Sequence, residues 1–248
     1  MVISNSARSR PRVVVAGATG LVGQAVLALL TSRPAAPGIP KNCGVTALVR
    51  QPEQLAGLPS GVKGQLVDLS ALGRAGVDGL PPLDWAICCL GTTIKVAGSQ
   101  AAFRAVDFDA VLAFARAAKV AGASRLAVVS AMGASARSSV FYNRVKGEME
   151  QALIALDLPR LVIVQPALLL GERASLGQAS RPGEALAQRW MPRLARLLPR
   201  SLRPIRADAV ALAMLTALAA DGDLVSRLSS DQLQALADQP QAQPRTQR

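Results

Sequence analysis

The chain has 248 residues, 50% of them hydrophobic, and carries 28 Lys and Arg against 16 Asp and Glu with no histidine, a formal net charge of +12. That length and apolar content suffice for one large core. The lack of histidine excludes His-based triads, His general bases and His metal ligands, leaving Tyr, Lys, Cys and carboxylates for proton chemistry. Nucleic acid is not an expected partner: arginine outnumbers lysine 23 to 5, the mark of a general bias, and aromatics at 3% leave few rings for base stacking.

In chain order, the first predicted element is the β-branched run from Arg12 to Ala16, a buried strand, followed by Gly17-Ala-Thr19-Gly20-Leu21-Val22-Gly23 and an Ala/Leu-rich helix. Gly17 permits a tight turn, Gly20 lets the backbone approach a pyrophosphate, and Gly23 lets the helix pack on the strand. The phosphates would lie at the positive end of that helix, against its free N–H groups. Three glycines at this spacing also occur in plain loops, but strand before and helix after supply the context the motif requires.

A Pro/Gly-rich connection leads to a second strand, Val45 to Val49, ending at Arg50. A third, Gly64 to Val67, ends at Asp68-Leu69, and a fourth, Trp85 to Cys89, ends at Leu90-Gly91-Thr92-Thr93. An acid after the second strand would suit a ribose 2′-hydroxyl, whereas an arginine suits a 2′-phosphate. Arg50 therefore favours NADP (NADPH), with NAD less favoured. Asp68 reads either as an acceptor for the adenine amino group or as a turn or cap residue, and Gly91 allows the backbone close to a cofactor. A long helix from about Ser99 to Ala121 precedes the fifth strand, Leu126 to Ser130. Next come the Tyr142 helix and a sixth strand, Leu161 to Gln165, stopped by Pro166.

Beyond lie the helix started by Arg181-Pro-Gly-Glu184 and carrying Trp190, then six arginines from Arg189 to Arg206 without an acid. That basic stretch reads as a solvated face, a grip on an anionic group or an anionic surface contact. Asp208 to Ala219 reads as a buried helix.

Apolar strands alternating with helices imply an α/β fold, a doubly wound parallel sheet of Rossmann type whose ligand lies along the carboxyl ends of the strands. Residues 1–10 are expected to be a disordered arm and 11–222 the nucleotide-binding domain, including a small substrate lobe at about 166–206. Residues 223–248 would form a C-terminal helix and disordered tail. Cys43, Cys88 and Cys89 give no disulfide framework and read as reduced thiols. No apolar run reaches the roughly 18 residues of a membrane span, and the first residues lack the long apolar core expected of a signal peptide. A cytoplasmic protein is expected.

Tyr142, the single tyrosine, precedes Lys146 by four residues. On a helix the two share a face, where the ammonium would favour phenolate and lower the phenol's pKa toward neutrality, giving a group that exchanges a proton with a substrate oxygen. The alternative is a half-buried aromatic beside a solvated lysine.

The glycine turn, Cys88-Cys-Leu-Gly-Thr-Thr93, Phe103-Arg-Ala-Val-Asp-Phe-Asp109, Val129-Ser-Ala-Met-Gly133, Tyr142-x-x-x-Lys146 and Gly171-Glu-Arg173 together resemble the atypical short-chain dehydrogenases, in their Tat-interacting-protein oxidoreductase-like branch. The resemblance runs from about Arg12 to Ala219. It implies an NADP-binding Rossmann domain with Tyr142 as acid/base, Lys146 holding the nicotinamide ribose and Ser130 bonding the reacting oxygen. It also places Thr19, Leu21, Val22, Leu69, Leu90, Thr92, Thr93 and Pro166 along the cofactor.

Two departures stand out. Ser130-Ala131 replaces the paired serines of relatives, leaving Ser138 and Ser139 in reserve, and Gln165-Pro-Ala replaces Arg-Pro-Gly. The function expected is hydride transfer between nicotinamide and a carbonyl or alcohol substrate, with a homodimer compatible. The alternatives are an NADP-binding regulatory or scaffold protein without turnover, and an epimerase or isomerase with tightly held cofactor.

Overall fold

The computed structural model describes residues 10–32, 39–40, 42–69, 71–72, 79–170 and 199–238. The first half runs β1 (Arg12–Ala16), α1 (Leu21–Thr31), β2 (Gly44–Val49), β3 (Val62–Leu66) and β4 (Trp85–Cys88). After β4 come a short helix α2 (Ile94–Ala97), α3 (Gln100–Arg104), a π-helical turn (Ala105–Ala110) and α4 (Val111–Val120). The chain continues through β5 (Arg125–Val129), α5 (Phe141–Ile154), β6 (Leu161–Gln165), β7 (Leu169–Leu170), β8 (Ile205–Arg206), α6 (Ala207–Ala219), β9 (Val225–Ser229) and α7 (Ser230–Asp238).

Seven parallel strands form the main sheet in the order β3-β2-β1-β4-β5-β6-β9, while β7 and β8 make a separate parallel pair. The chain winds outward from β1 in one direction to β3, then returns to β4 and winds the other way. The crevice between the ends of β1 and β4 is therefore the switch point where such sheets bind ligands.

Side-chain alternation along the strands builds both layers. Val13, Val15, Val45 and Ala47 face α1 and α6, whereas Val14, Ala16, Leu126 and Val128 face α4 and α5. Burial on both faces explains why these strands are nearly continuous apolar runs.

The fold extends past the expected boundary at 222. Strand β9 pairs in register with β6, from Leu161 against Val225 to Gln165 against Ser229, so the sheet takes in residues expected to belong to a C-terminal helix and tail. Arg160 ties this extension to the sheet, and Arg125 closes the helix that precedes it. Arg160 donates to the carbonyls of Ala217 and Asp223 and to Ser226 Oγ. Arg125 donates to the carbonyls of Leu218, Ala219 and Ala220, satisfying the orphan acceptors at the C-terminus of α6. Part of the arginine excess thus closes backbone ends rather than offering a phosphate surface.

The long helix expected from Ser99 begins as read, with Ser99 Oγ accepting from the Ala102 N–H at 3.1 Å. It does not continue as a regular α-helix. The π-turn lies within it at Ala105–Ala110, in a segment without the Pro or Gly that would announce an irregularity.

Candidate active site

The glycine turn divides its labour among three positions. Gly17 adopts φ +74°, and a Cβ there would lie 2.5 Å from the carbonyl carbon and oxygen of Cys89, so this position needs glycine on both counts. A Cβ at Gly23 would overlap the Gly17 carbonyl. Gly20 differs: its φ of −81° and ψ of 168° suit any residue, and a Cβ would meet only the Gly17 oxygen, at 3.4 Å. Its side-chain hydrogen leaves room outside the turn. Gly20 is also the N-cap of α1, no side chain caps that end, and the first turn holds no acid. Free amides beside open space fit a cofactor pyrophosphate. Thr19, Leu21 and half-turn neighbour Val22 flank this opening, with Val22 buried.

The neighbouring strand ends bring the other expected cofactor residues to the same edge of the sheet. Arg50 is exposed just after β2, its backbone N–H held by Gln54 Oε1 at 3.0 Å. Asp68 is exposed after β3 and its carbonyl accepts the Ala71 N–H at 3.1 Å, placing it in a turn; Leu69 beside it is buried. After β4, Leu90 is buried, Gly91 exposed, and Thr93 caps α2 by accepting from the Val96 N–H.

Lys146 is the centre of the chemistry. Its Nζ lies 2.7 Å from Asp107 Oδ1, with both side chains at most 3% exposed, and also donates to the Val129 carbonyl at 3.4 Å. The solvated-lysine alternative is therefore corrected. Asp107 Oδ2 accepts the Thr92 N–H at 2.8 Å. Gly91 borders this pair: a Cβ there would sit in ordinary contact, 3.4 Å from Asp107 Oδ1 and 3.9 Å from Lys146 Nζ. Tyr142 is half-buried, its ring tilted against Phe103 at 5.3 Å. Burial raises its pKa above the ordinary phenol value; Lys146 lowers it and Asp107 raises it. Lysine draws the phenol toward phenolate as expected, but desolvation outweighs the ammonium here.

Ser130 stands one residue beyond β5, as expected, but its hydroxyl is donated to Glu150 Oε1 at 2.5 Å. The buried Glu150 carboxylate also accepts from the Gln165 amide, at 2.9 and 3.1 Å, and from Arg227 Nε at 3.2 Å. Gln165, where the resemblance leads one to expect arginine, completes this cluster. A polar cavity of about 240 Å³ adjoins it, lined by Ser135, Arg137, Gly147, Glu150, Gln165 and Arg227 among others. Ser138 and Ser139, the reserve candidates, have their carbonyls engaged by Arg144. The Pro166 carbonyl accepts the Met132 N–H at 3.0 Å, joining the ends of β5 and β6. Cys88 is wholly enclosed, and burial pushes its thiol up to about 12, which leaves it a packed hydrophobe rather than a nucleophile.

Three site residues escaped the reading of the sequence: Asp107, Glu150 and Gly147. Glu150 continues the four-residue step from Tyr142 through Lys146 along one face of α5, a visible signal. Gly147 was legible only in three dimensions, since a Cβ there would overlap the backbone of Ser135 and Ala136, which crosses α5 at that point. The basic stretch as far as Leu198, with Trp190 and Gly171-Glu-Arg173, lies outside the described residues.

A doubly wound parallel sheet with an uncapped glycine turn at its switch point defines a nucleotide-binding Rossmann protein. Residues 17–195 match the family of NAD(P)H-binding domains. The chain is 34% identical over 178 residues to fmp52 of Emericella nidulans, covering 71% of this chain and 72% of that protein. It is 42% identical over 107 residues to HTATIP2 of Rattus norvegicus, covering 43% and 42%. The match to FMP52-1 of Scheffersomyces stipitis, at 46% identity, spans 37% of that protein. Among solved structures, ADP-L-glycero-D-manno-heptose-6-epimerase of Helicobacter pylori superposes with TM-score 0.61 at 14% identity, covering 89% of this chain and 76% of that one. MoeE5 in complex with UDP-glucose and NAD gives 0.58 at 16%, covering 88% and 76%; at such identities the likeness is one of fold. The chain belongs to the NAD(P)H-binding family of atypical short-chain dehydrogenases that includes HTATIP2 and FMP52.

The cytoplasmic expectation is corrected by the same relatives. FMP52 proteins of Emericella nidulans, Lodderomyces elongisporus, Eremothecium gossypii and Candida albicans are named mitochondrial, at odds with that expectation. Among the described residues no helix is long and apolar enough to cross a membrane.

Proposed function

We propose that the protein is an NADP-dependent oxidoreductase that transfers a hydride between nicotinamide and a carbonyl or alcohol carbon, with Tyr142 as the proton-transferring group. The observation carrying this reading is the buried Lys146 ammonium, fixed beside Gly91 on the same helical face as Tyr142. NADPH held across the switch point would supply the hydride. The chain's own part is to bind and orient: the amides after Gly20 receive the pyrophosphate, Lys146 meets the ribose, and Tyr142 holds the proton for the substrate oxygen. Ser130 would orient that oxygen once its hydroxyl turns from Glu150. A screen of aldehydes, ketones and quinones for consumption of added NADPH tests the reading.

Two other readings are separated by the same screen. The engagement of Ser130 by Glu150 favours an NADP-binding regulatory or scaffold protein, for which NADPH would bind tightly and no substrate would be consumed. An epimerase with tightly held cofactor would convert substrate without consuming added NADPH.

Cofactor choice rests on Arg50. A charge-assisted hydrogen bond to a 2′-phosphate is about twice as strong as a neutral one, and about 1.4 kcal/mol of preference corresponds to tenfold in affinity. Calorimetric titration is expected to give NADPH at least roughly tenfold tighter binding than NADH, with Arg50→Ala removing most of the difference. Equal affinities in the parent protein would remove Arg50 from this role.

A further inference from the structure

Asp107 reaches the site through an irregular stretch of backbone. The π-turn Ala105–Ala110 sits inside the helical run between Ser99 and Val120, and single π-turns of this kind recur at functional sites. The aspartate it carries is 1% exposed. One carboxylate oxygen faces the Lys146 ammonium at 2.7 Å and the other accepts the Thr92 N–H at 2.8 Å, so the group is fixed from two sides. Removing one member of such a pair leaves the other charge uncompensated in a dry interior.

The same carboxylate acts on the phenol. The charged groups bearing on Tyr142 are Lys146 from its own helix and Asp107 from the π-turn. Phe103 of α3 packs on the ring without charge, and Cys88 of β4, next to the pair, stays a neutral thiol. Lysine draws the phenol toward phenolate; aspartate opposes it.

Resting on the reading of Tyr142 as the proton-transferring group, we propose that Asp107 is the positioning residue of the Tyr142–Lys146 pair: it pins the ammonium beside Gly91 and offsets its charge at the phenol. In carbonyl reduction the substrate carbon would gain a hydride from the broken nicotinamide C4–H bond and its oxygen the Tyr142 proton, NADPH being oxidised to NADP⁺. The C=O π bond and the phenolic O–H bond break, new C–H and O–H bonds form, and Tyr142 regains its proton from water.

The test needs neither cofactor nor substrate. Tyr142 is the only tyrosine, so tyrosinate absorbance of the intact protein follows this phenol alone. Asp107→Asn is expected to move the titration midpoint to lower pH and Lys146→Met to higher pH. The double variant should lie below Lys146→Met, because loss of the carboxylate lowers the midpoint in either background. An Asp107→Asn protein with parental circular dichroism and an unmoved or raised midpoint would overturn the proposal. If Asp107→Asn does not fold, the comparison of Lys146→Met with the double variant decides, and equal midpoints overturn it. Once a substrate is in hand, the alkaline limb of the reduction profile should shift to lower pH in Asp107→Asn. A silent substrate screen would count against turnover while leaving the charge arrangement to be judged by the titration.

Discussion

Tyr142→Phe is expected to lower turnover by roughly 10²–10⁴, the usual contribution of a positioned acid or base, while NADPH affinity and the fold change little. The substitution removes only the phenolic oxygen. The ring keeps its place against Phe103, 5.3 Å away, and the Lys146–Asp107 pair at 2.7 Å does not rest on the hydroxyl. Steady-state rates with the best substrate from the NADPH screen, measured beside circular dichroism and calorimetric binding, make the check. Parental turnover in the Phe variant would assign proton transfer elsewhere. Lys146→Met should behave differently and weaken both rate and cofactor binding, because one ammonium serves the ribose and the phenol.

Gly20→Val is expected to abolish measurable cofactor binding in a protein that still folds. Position 20 has an extended backbone that valine adopts without strain, and a Cβ there meets only one atom, at 3.4 Å. The cost therefore falls on the bound pyrophosphate rather than on the chain. Gly23→Val provides the contrast. Its Cβ would overlap the Gly17 carbonyl, so the turn itself must shift and thermal stability should drop along with binding. Thermal melts and NADPH titrations of the two variants distinguish a cleft blocked from a cleft dismantled. Retained binding in Gly20→Val would mean the pyrophosphate lies elsewhere.

The sheet was legible from the sequence because its strands are buried on both faces and stand out as β-branched runs cut by glycine or proline. The runs around Val13–Ala16, Val45–Val49 and Leu161–Gln165 fell where the strands lie. Strand β9 was not legible: Val225-Ser-Arg-Leu-Ser229 is half-buried at the sheet's edge, so its composition is mixed and it merges with the polar segment that follows. The Tyr142–Lys146 spacing announced a shared helical face, yet the sign of the effect on the phenol depended on burial and on Asp107, which lies far away in sequence. Asp107 itself stood in plain view within Phe103-Arg-Ala-Val-Asp-Phe-Asp109. What hid its role was the π-turn, since a regular helical wheel gives no hint of that irregularity. Ser130 was placed correctly at a strand end, but a hydroxyl's direction is fixed by its partners, and Glu150 lies on another element.

The manner in which β9 joins the sheet also bears on how the protein is made. Arg160 finds the Asp223 carbonyl 63 residues further along the chain, and the exposed side of β6 waits for residues synthesised equally late. During translation the nascent chain therefore carries an unpaired strand edge with an arginine whose acceptors do not yet exist. Open edges of this kind invite pairing with foreign strands. Between the synthesis of β6 and that of β9, that edge has no native partner to cover it.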